Sequence, residues 1–241
     1  MTVPDLHFYF DPVCPFAWLT SKWVRIVARQ RGYQVEWRFL SLRLLNAHRY
    51  PDAHNAESLE AGHTDGLRLL RVCAAARAHG GPDAVDRLYA TLGERVFDSA
   101  GAGASASRAH RSSAGFVAEA LVSAELPITL ATAVSDSSHD DVVQAETDEA
   151  LSLAGRDVGT PVLHFTPPLG AAFFGPVISR LPSEDGAAEL WDNVVGIGSY
   201  PGFSELKRSL RERPQLRSFA TDDDPRVGQE SWDGGGRRRA T

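Results

Sequence analysis

Lysine is nearly missing: the 241 residues hold only Lys22 and Lys207. Arginine supplies the rest of the positive charge. Acidic residues still outnumber basic ones, 31 to 25, for a net charge of −6. With no basic stripe in the folded part, that balance excludes the electrostatic footprint of a nucleic-acid binder. Cysteine is scarce too. Cys14 and Cys73 are two residues only, too few for a disulfide framework. No segment approaches the roughly 18 uninterrupted apolar residues of a membrane span. The opening "MTVPDLHFYF" has no basic n-region and no long apolar h-region, so no signal peptide is read. The expectation is a cytoplasmic protein with two thiols in a reducing compartment and no membrane partner.

What is present reads as one large domain, or a core domain carrying an insertion. "LHFYF" (6–10) is short and aromatic-rich, as a buried strand is. "DPVCP" turns the chain, and Pro15 takes a first helical position, where its missing N–H costs nothing. Apolar residues then recur at helical spacing through Leu19, Trp23, Ile26 and Val27 until Gly32, a helix stop. "YQVEWRFL" (33–40) is the next strand, so residues 6–40 read β–α–β. A loop follows (41–58). Helical runs fill 58–81, ending at a Gly pair, then 82–97, 114–127, 128–136 and 138–157, with a small-residue loop at 98–113. "TPVLHF" (160–165) and "AAFFG" (171–175) flank a turn and read as a hairpin. A helix over 182–200 starts at Pro182-Ser183, and 203–213 reads as a further short helix. From Pro214 on, the tail reads as disordered. The order is βαβ, helices, ββα.

Cys14 stands between a strand end and a helix start. Unpaired N–H groups and the helix dipole favour negative charge there. A thiol in such a place can fall well below its usual pKa, and the thiolate is the reactive form. The other reading is a small buried hydrophobe, as free cysteines often are. "VGTPV" (158–162) adds a Thr-Pro at a strand start, where proline cannot donate to the ladder. A cis Pro161 facing the cysteine would offer the backbone of Thr160 to an extended ligand, a strand-addition mode. An ordinary trans proline at an edge strand is the alternative.

These pieces together resemble the thioredoxin superfamily, and the helices inserted between βαβ and ββα resemble its DsbA-like branch. "FDPVCPFAWLTSKW", "LSLRLLN" (40–46), "DVGTPVLHF" (157–165), "FFGPVISRLP" (173–182) and "LWDNVVGIGSYPGFSELKR" (190–208) are similar to motifs of actinobacterial DsbA-like proteins that include the mycothiol-dependent nitroreductases. The resemblance implies an α/β thioredoxin fold with a central mixed sheet: residues 1–57 and 158–213 as the thioredoxin-like domain, and 58–157 as a helical insertion or lid. Residues 214–241 stand apart as the tail. It also implies a cytosolic thiol enzyme that uses mycothiol, or another low-molecular-weight thiol, as co-substrate against a small molecule. By motif match Cys14 is the nucleophile. Thr160 and Pro161 form the cis-Pro loop beside it. Pro15 and Phe16 follow the cysteine, Phe16 where the family often has Trp. Trp18 and Asn46 fall beside the cleft. From helical spacing alone Trp18 is a core aromatic, and Asn46 is equally a turn residue.

The departure from the pattern is Ala17. Dithiol members carry a second cysteine there. Without it, a mixed disulfide at Cys14 needs an external thiol to resolve it. Single-cysteine and serine versions of this fold include kappa-class glutathione transferases and 2-hydroxychromene-2-carboxylate isomerases. A thiol-dependent cis/trans isomerase or transferase acting on a conjugated substrate therefore stands beside the oxidoreductase, and an inactive binding or chaperone module stands third. Cys73, on a helix of the insertion, reads as a packed core thiol; as a substitute resolving cysteine it would need its Cα within about 7 Å of that of Cys14. The eight histidines show no metal-ligand spacing, so no metal is expected. His48 and His54, in the loop after the second strand, are weak acid/base candidates. A homodimer is left open.

Overall fold

The computed structural model describes residues 3–48, 56–99, 110–208, 210–219, 229–233 and 236–239. Strand β1 (Leu6–Phe10) is the centre of a four-stranded mixed sheet ordered β2-β1-β3-β4. It pairs in parallel with β2 (Val35–Phe39), Leu6 opposite Val35 and Phe10 opposite Phe39. It pairs antiparallel with β3 (Val162–Phe165), His7 opposite His164. β4 (Ala172–Phe174) closes a hairpin on β3. A central strand is covered on both faces, which is why "LHFYF" carries no clean polar alternation. Leu6, Phe8 and Phe10 enter the main core, while Tyr9 enters a second cluster with Leu40, Leu45, Ala150, Leu151 and Val162.

Helix α1 (Pro15–Arg31) joins β1 to β2. Gly32 ends it in the left-handed region (φ 70°), its N–H bonding back to the Ala28 carbonyl. α1 lies against α6 (Glu184–Gly198), where Trp23 meets Trp191 edge-on at 5.5 Å and donates its indole N–H to Ala187 at 2.9 Å. Ser183 caps α6, accepting from Gly186 N–H, with Glu184 and Asp185 in the first turn.

Between these halves come α2 (Leu42–Leu45) and α3 (Ala56–Gly93), then a π-turn (Glu94–Asp98) and α4 (Ala114–Ser123). Two 3₁₀ segments (Ile128–Ser135 and Ser137–His139) and α5 (Asp140–Ala154) complete the block. α3 is two helices across a kink at Gly80 and Gly81, the pair that marks a stop in the sequence. The run at 128–136, expected as a helix of the ordinary kind, is 3₁₀. The small-residue loop at 98–113 falls largely outside the described residues. Arg71 of α3 grips Asp140 in the first turn of α5 with two bonds, 2.6 and 2.8 Å. Glu146 and Thr147 of α5 accept the N–H groups of Phe39 (2.8 Å) and Ser41 (3.1 Å) at the far end of β2. No helix among the described residues is long and apolar enough to cross a membrane.

Two expectations are corrected. Residues 203–208 form no helix, and Leu210–Glu212 is a strand, β5. Phe203, Leu206 and Leu210 have helical spacing, but Phe203 and Leu206 are exposed, and a short helix without a buried face is unstable. Order also continues past Pro214. Leu216 is buried, Gln215 N–H bonds to the Ser179 carbonyl at 2.7 Å, and Arg217–Phe219 is a 3₁₀ turn. β5 pairs with β6 (Gln229–Asp233), which pairs with β7 (Gly236–Arg239), in a separate three-stranded sheet. The charged composition of the tail concealed the apolar anchors Leu216 and Phe219.

Candidate active site

The site begins where β1 stops. The Asp11 carbonyl accepts the Cys14 N–H at 3.0 Å, closing a four-residue turn. Cys14 is then the N-cap of α1, with extended backbone (φ −87°, ψ 112°). Its sulfur accepts the Ala17 N–H at 3.4 Å, as a capping oxygen would. Thus Ala17, with no thiol of its own, serves the cysteine through its backbone. Across from it, Cys14 Sγ donates to the Thr160 carbonyl at 3.5 Å. The Thr160–Pro161 peptide is cis. Thr160 is 4% exposed, and its side chain bears on the sulfur.

The electrostatics correct one expectation. Burial pushes the Cys14 thiol up, not down. The Thr160 hydroxyl and then the Ala17 N–H pull the other way, and the charge of Asp11 adds to the upward push. A helix N-terminus lowers a thiol that water can reach; Cys14 is 7% exposed, and desolvation outweighs it.

Pro15 and Phe16 are half-buried beside the cysteine, Phe16 packing on the core. Trp18 is not a free cleft wall. It is buried, edge-on to Tyr89 at 5.8 Å, and donates its indole N–H to Asp98 at 3.0 Å. Lys22 bonds the same Asp98 oxygen at 2.8 Å. Gly93 makes this possible, since a Cβ there would stand 2.2 Å from the Trp18 ring. Asn46 is the C-cap of α2, its side-chain amide donating to the Leu42 carbonyl at 2.9 Å. Cys73 is a free thiol buried in the core and pushed up to about 12 by burial. His48 is exposed, and His54 lies outside the described residues. Among the described residues no group of three or more His, Cys, Asp or Glu could hold a metal. A groove of about 450 Å³ lies in the insertion, lined by Arg68, Ser112 and Thr132 among others, and includes none of the residues around Cys14.

A family model described as Rv2466c-like, mycothiol-dependent nitroreductase Rv2466c, matches residues 13–208. The chain belongs to this family. The match runs from the turn before Cys14 to the end of the segment after α6, taking in Thr160 and Pro161. A curated relative, the uncharacterized protein Rv2286c of Mycobacterium tuberculosis (strain ATCC 25618 / H37Rv), is 32% identical over 209 residues, 86% of this chain and 82% of that protein.

The residue that sequence reasoning passed over is Asp11. It is fully buried, accepts N–H bonds from Val13 (3.0 Å) and Leu42 (2.8 Å), and is pushed up to about 7 by burial. Its signal was available: an acid at a strand end, three residues before the cysteine, among apolar neighbours.

Proposed function

We propose that this chain is a single-thiol oxidoreductase of the DsbA-like kind, working with mycothiol or a similar low-molecular-weight thiol in the cytoplasm. In this reading residues 1–57 and 158–213 form a thioredoxin-like domain and 58–157 its helical lid. The observation that carries it is the placement of Cys14 as the N-cap of α1, facing Thr160–Pro161, within the span that the family model matches. The Thr160 side chain suits a sulfur that becomes negative: it already opposes the upward push of burial on Cys14.

The chemistry follows from what is there. The Cys14 thiolate attacks one sulfur of a disulfide. A Cys14–S–S bond forms and the second sulfur leaves as a thiolate, which takes a proton. Ala17 offers no internal thiol. An external low-molecular-weight thiol therefore attacks the mixed disulfide, releases Cys14 as thiolate and leaves joined to the substrate sulfur. A second such thiol attacks that new disulfide and frees the substrate thiol, so the two external thiols together supply two electrons and end as their own disulfide. Thr160 and Ala17 N–H hold the sulfur's charge at both ends of the cycle.

The test is mass spectrometry after incubation with mycothiol disulfide. One mycothiol mass on Cys14 is expected, lost in Cys14→Ser and kept in Cys73→Ala. Absence of the adduct in the native protein, or its appearance only on Cys73, overturns the reading. Ala17 itself favours a second reading, a thiol-dependent cis/trans isomerase or transferase. Turnover of a conjugated alkene with no consumption of thiol would decide for it.

A further inference from the structure

The outer face of α6 and the segment after it carry apolar surface that the chain itself does not cover. Among the described residues ten large apolar side chains are exposed, and five of them fall in one run: Leu190, Ile197, Tyr200, Phe203 and Leu206. Apolar residues scattered singly over a surface need no explanation, but a contiguous group marks a contact surface. Leu190 and Ile197 lie seven positions apart on one flank of α6, while Ala187 and Trp191 face the core. The run passes the helix end through two consecutive turns. Tyr200 N–H bonds to the Ile197 carbonyl at 3.2 Å, and Phe203 N–H bonds to the Tyr200 carbonyl at 2.9 Å. Bonds of that span bring side chains three positions apart to one side. Gly202 lets the Tyr200 ring fold over the backbone, since a Cβ there would stand 2.9 Å from the ring. Gly196 is the opposite case. It is exposed in the last turn of α6, with open space where a Cβ would sit. Glycine weakens a helix relative to alanine, and no contact among the described residues requires it there. The close approach of a partner's backbone would.

The two ends of this strip differ in charge. Glu184, Asp185, Glu189 and Asp192 stand along α6. Arg29 and Arg31 of α1 pair with Glu184 and Asp192, and among the described residues no cation pairs with Asp185 or Glu189. Beyond the apolar run come Lys207 and Arg208. Lys207 lies 3.5 Å from Glu205, and Arg208 has no acidic partner among the described residues. One end therefore has an acidic surplus and the other a basic one. A foreign partner would account for the apolar run but not for opposite charges at its two ends. Laid against itself in reverse, the strip matches apolar to apolar and acid to base. We propose that the chain pairs with a second copy of itself through a two-fold contact along 185–208. Ile197 and Tyr200 lie at the centre of this contact, and Asp185 and Glu189 face the partner's Lys207 and Arg208 at both ends. Gln30, near the end of α1, donates to the Glu184 carbonyl at 2.9 Å. The acidic end of the strip thus sits at the end of α1 away from Cys14, and the pairing does not depend on the reading of that thiol.

The experiment is sedimentation velocity of the full chain, from about 1 to about 100 μM, at low and at physiological salt. The native protein is expected to sediment at twice the mass of the chain at the upper concentrations. Ile197→Asp sets two like charges together at the two-fold axis and is expected to weaken pairing about 100-fold. Glu189→Lys and Lys207→Glu each place like charges at both ends of the contact, and each alone is expected to weaken pairing about 10-fold at low salt. Mixed in equal amounts, these two variants are expected to pair with each other as tightly as the native chain does, because both ends again join opposite charges. Only a contact of the strip with itself in reverse gives that rescue. Glu189 and Lys207 are exposed, so the charge variants keep the fold; should Ile197→Asp fail to fold, they decide the matter without it. A native chain that stays a monomer over the whole range overturns the proposal, even where a different protein is found to occupy the strip. So does a dimer that Ile197→Asp leaves intact, or one in which the mixed charge variants pair no better than either alone.

Discussion

Replacing Asp11 by Asn should change how stability depends on pH, whatever the enzyme does. Burial raises the carboxyl from 3.8 to about 7. An acid with a raised value in the folded state binds its proton more tightly there than when unfolded. Its contribution to stability is therefore complete below about pH 4 and is lost as pH rises through 7. Between pH 5 and pH 8 the loss amounts to about two pH units, or about 2–3 kcal/mol at 1.36 kcal/mol per unit. Asn does not titrate and escapes this loss. It does incur a constant cost of about 1–3 kcal/mol, because one amide oxygen cannot serve both Val13 and Leu42. The two effects separate, since only one depends on pH. Urea unfolding of both proteins at pH 5 and pH 8 is the assay. With a slope of about 3 kcal/mol per molar, the native midpoint should fall by about 1 M more than the variant's. Equal shifts in the two proteins would refute the reasoning, because they would mean that Asp11 is ionised in the folded state at pH 5.

Three other outcomes follow from the packing. Gly93→Ala pushes a methyl to within 2.2 Å of the Trp18 ring and should cost about 1–3 kcal/mol in urea unfolding. Glu146→Ala strands Arg77 (2.6 Å) and the Phe39 N–H and leaves Arg38 with Glu36 and Glu149; a loss of about 3–5 kcal/mol is expected, and a smaller one for Glu146→Gln, which still accepts from Phe39. His7 and His164 face each other across β1 and β3, and burial holds both below the ordinary histidine value. Their contribution is present above about pH 6.5 and lost as pH falls below it, a change opposite in sign to that from Asp11. From pH 7.5 to 5.5 the melting temperature of the native protein should therefore shift downward relative to that of the double variant His7→Gln/His164→Gln, and parallel pH profiles would refute this.

What was legible in the sequence was local. Cys14-Pro15, Gly32, the Gly80-Gly81 pair and Ser183 each act on the few residues around them, through capping and backbone freedom, and each marks an element boundary. What was hidden depends on distant partners. Asp11 matters because Gly66 of α3 lands on it, and no pattern near either residue says that they meet. Trp18 was placed in the core by helical spacing, but its bond to Asp98 spans 80 positions. The ionisation of Cys14 was misjudged because a helix terminus is visible in sequence and the burial opposing it is not. At 203–213 the spacing was helical, but the stripe has no surface within its own chain to cover it.

The two N–H groups taken up by Glu146 and Thr147 have a consequence for assembly. A sheet with two bare borders can be extended from either side by any passing strand. Here the β2 border is occupied at its far end by side chains of α5, which deny an incoming chain the donors it would pair with. The charged side chain that fastens α5 to the sheet also acts as a guard against templated aggregation on that flank.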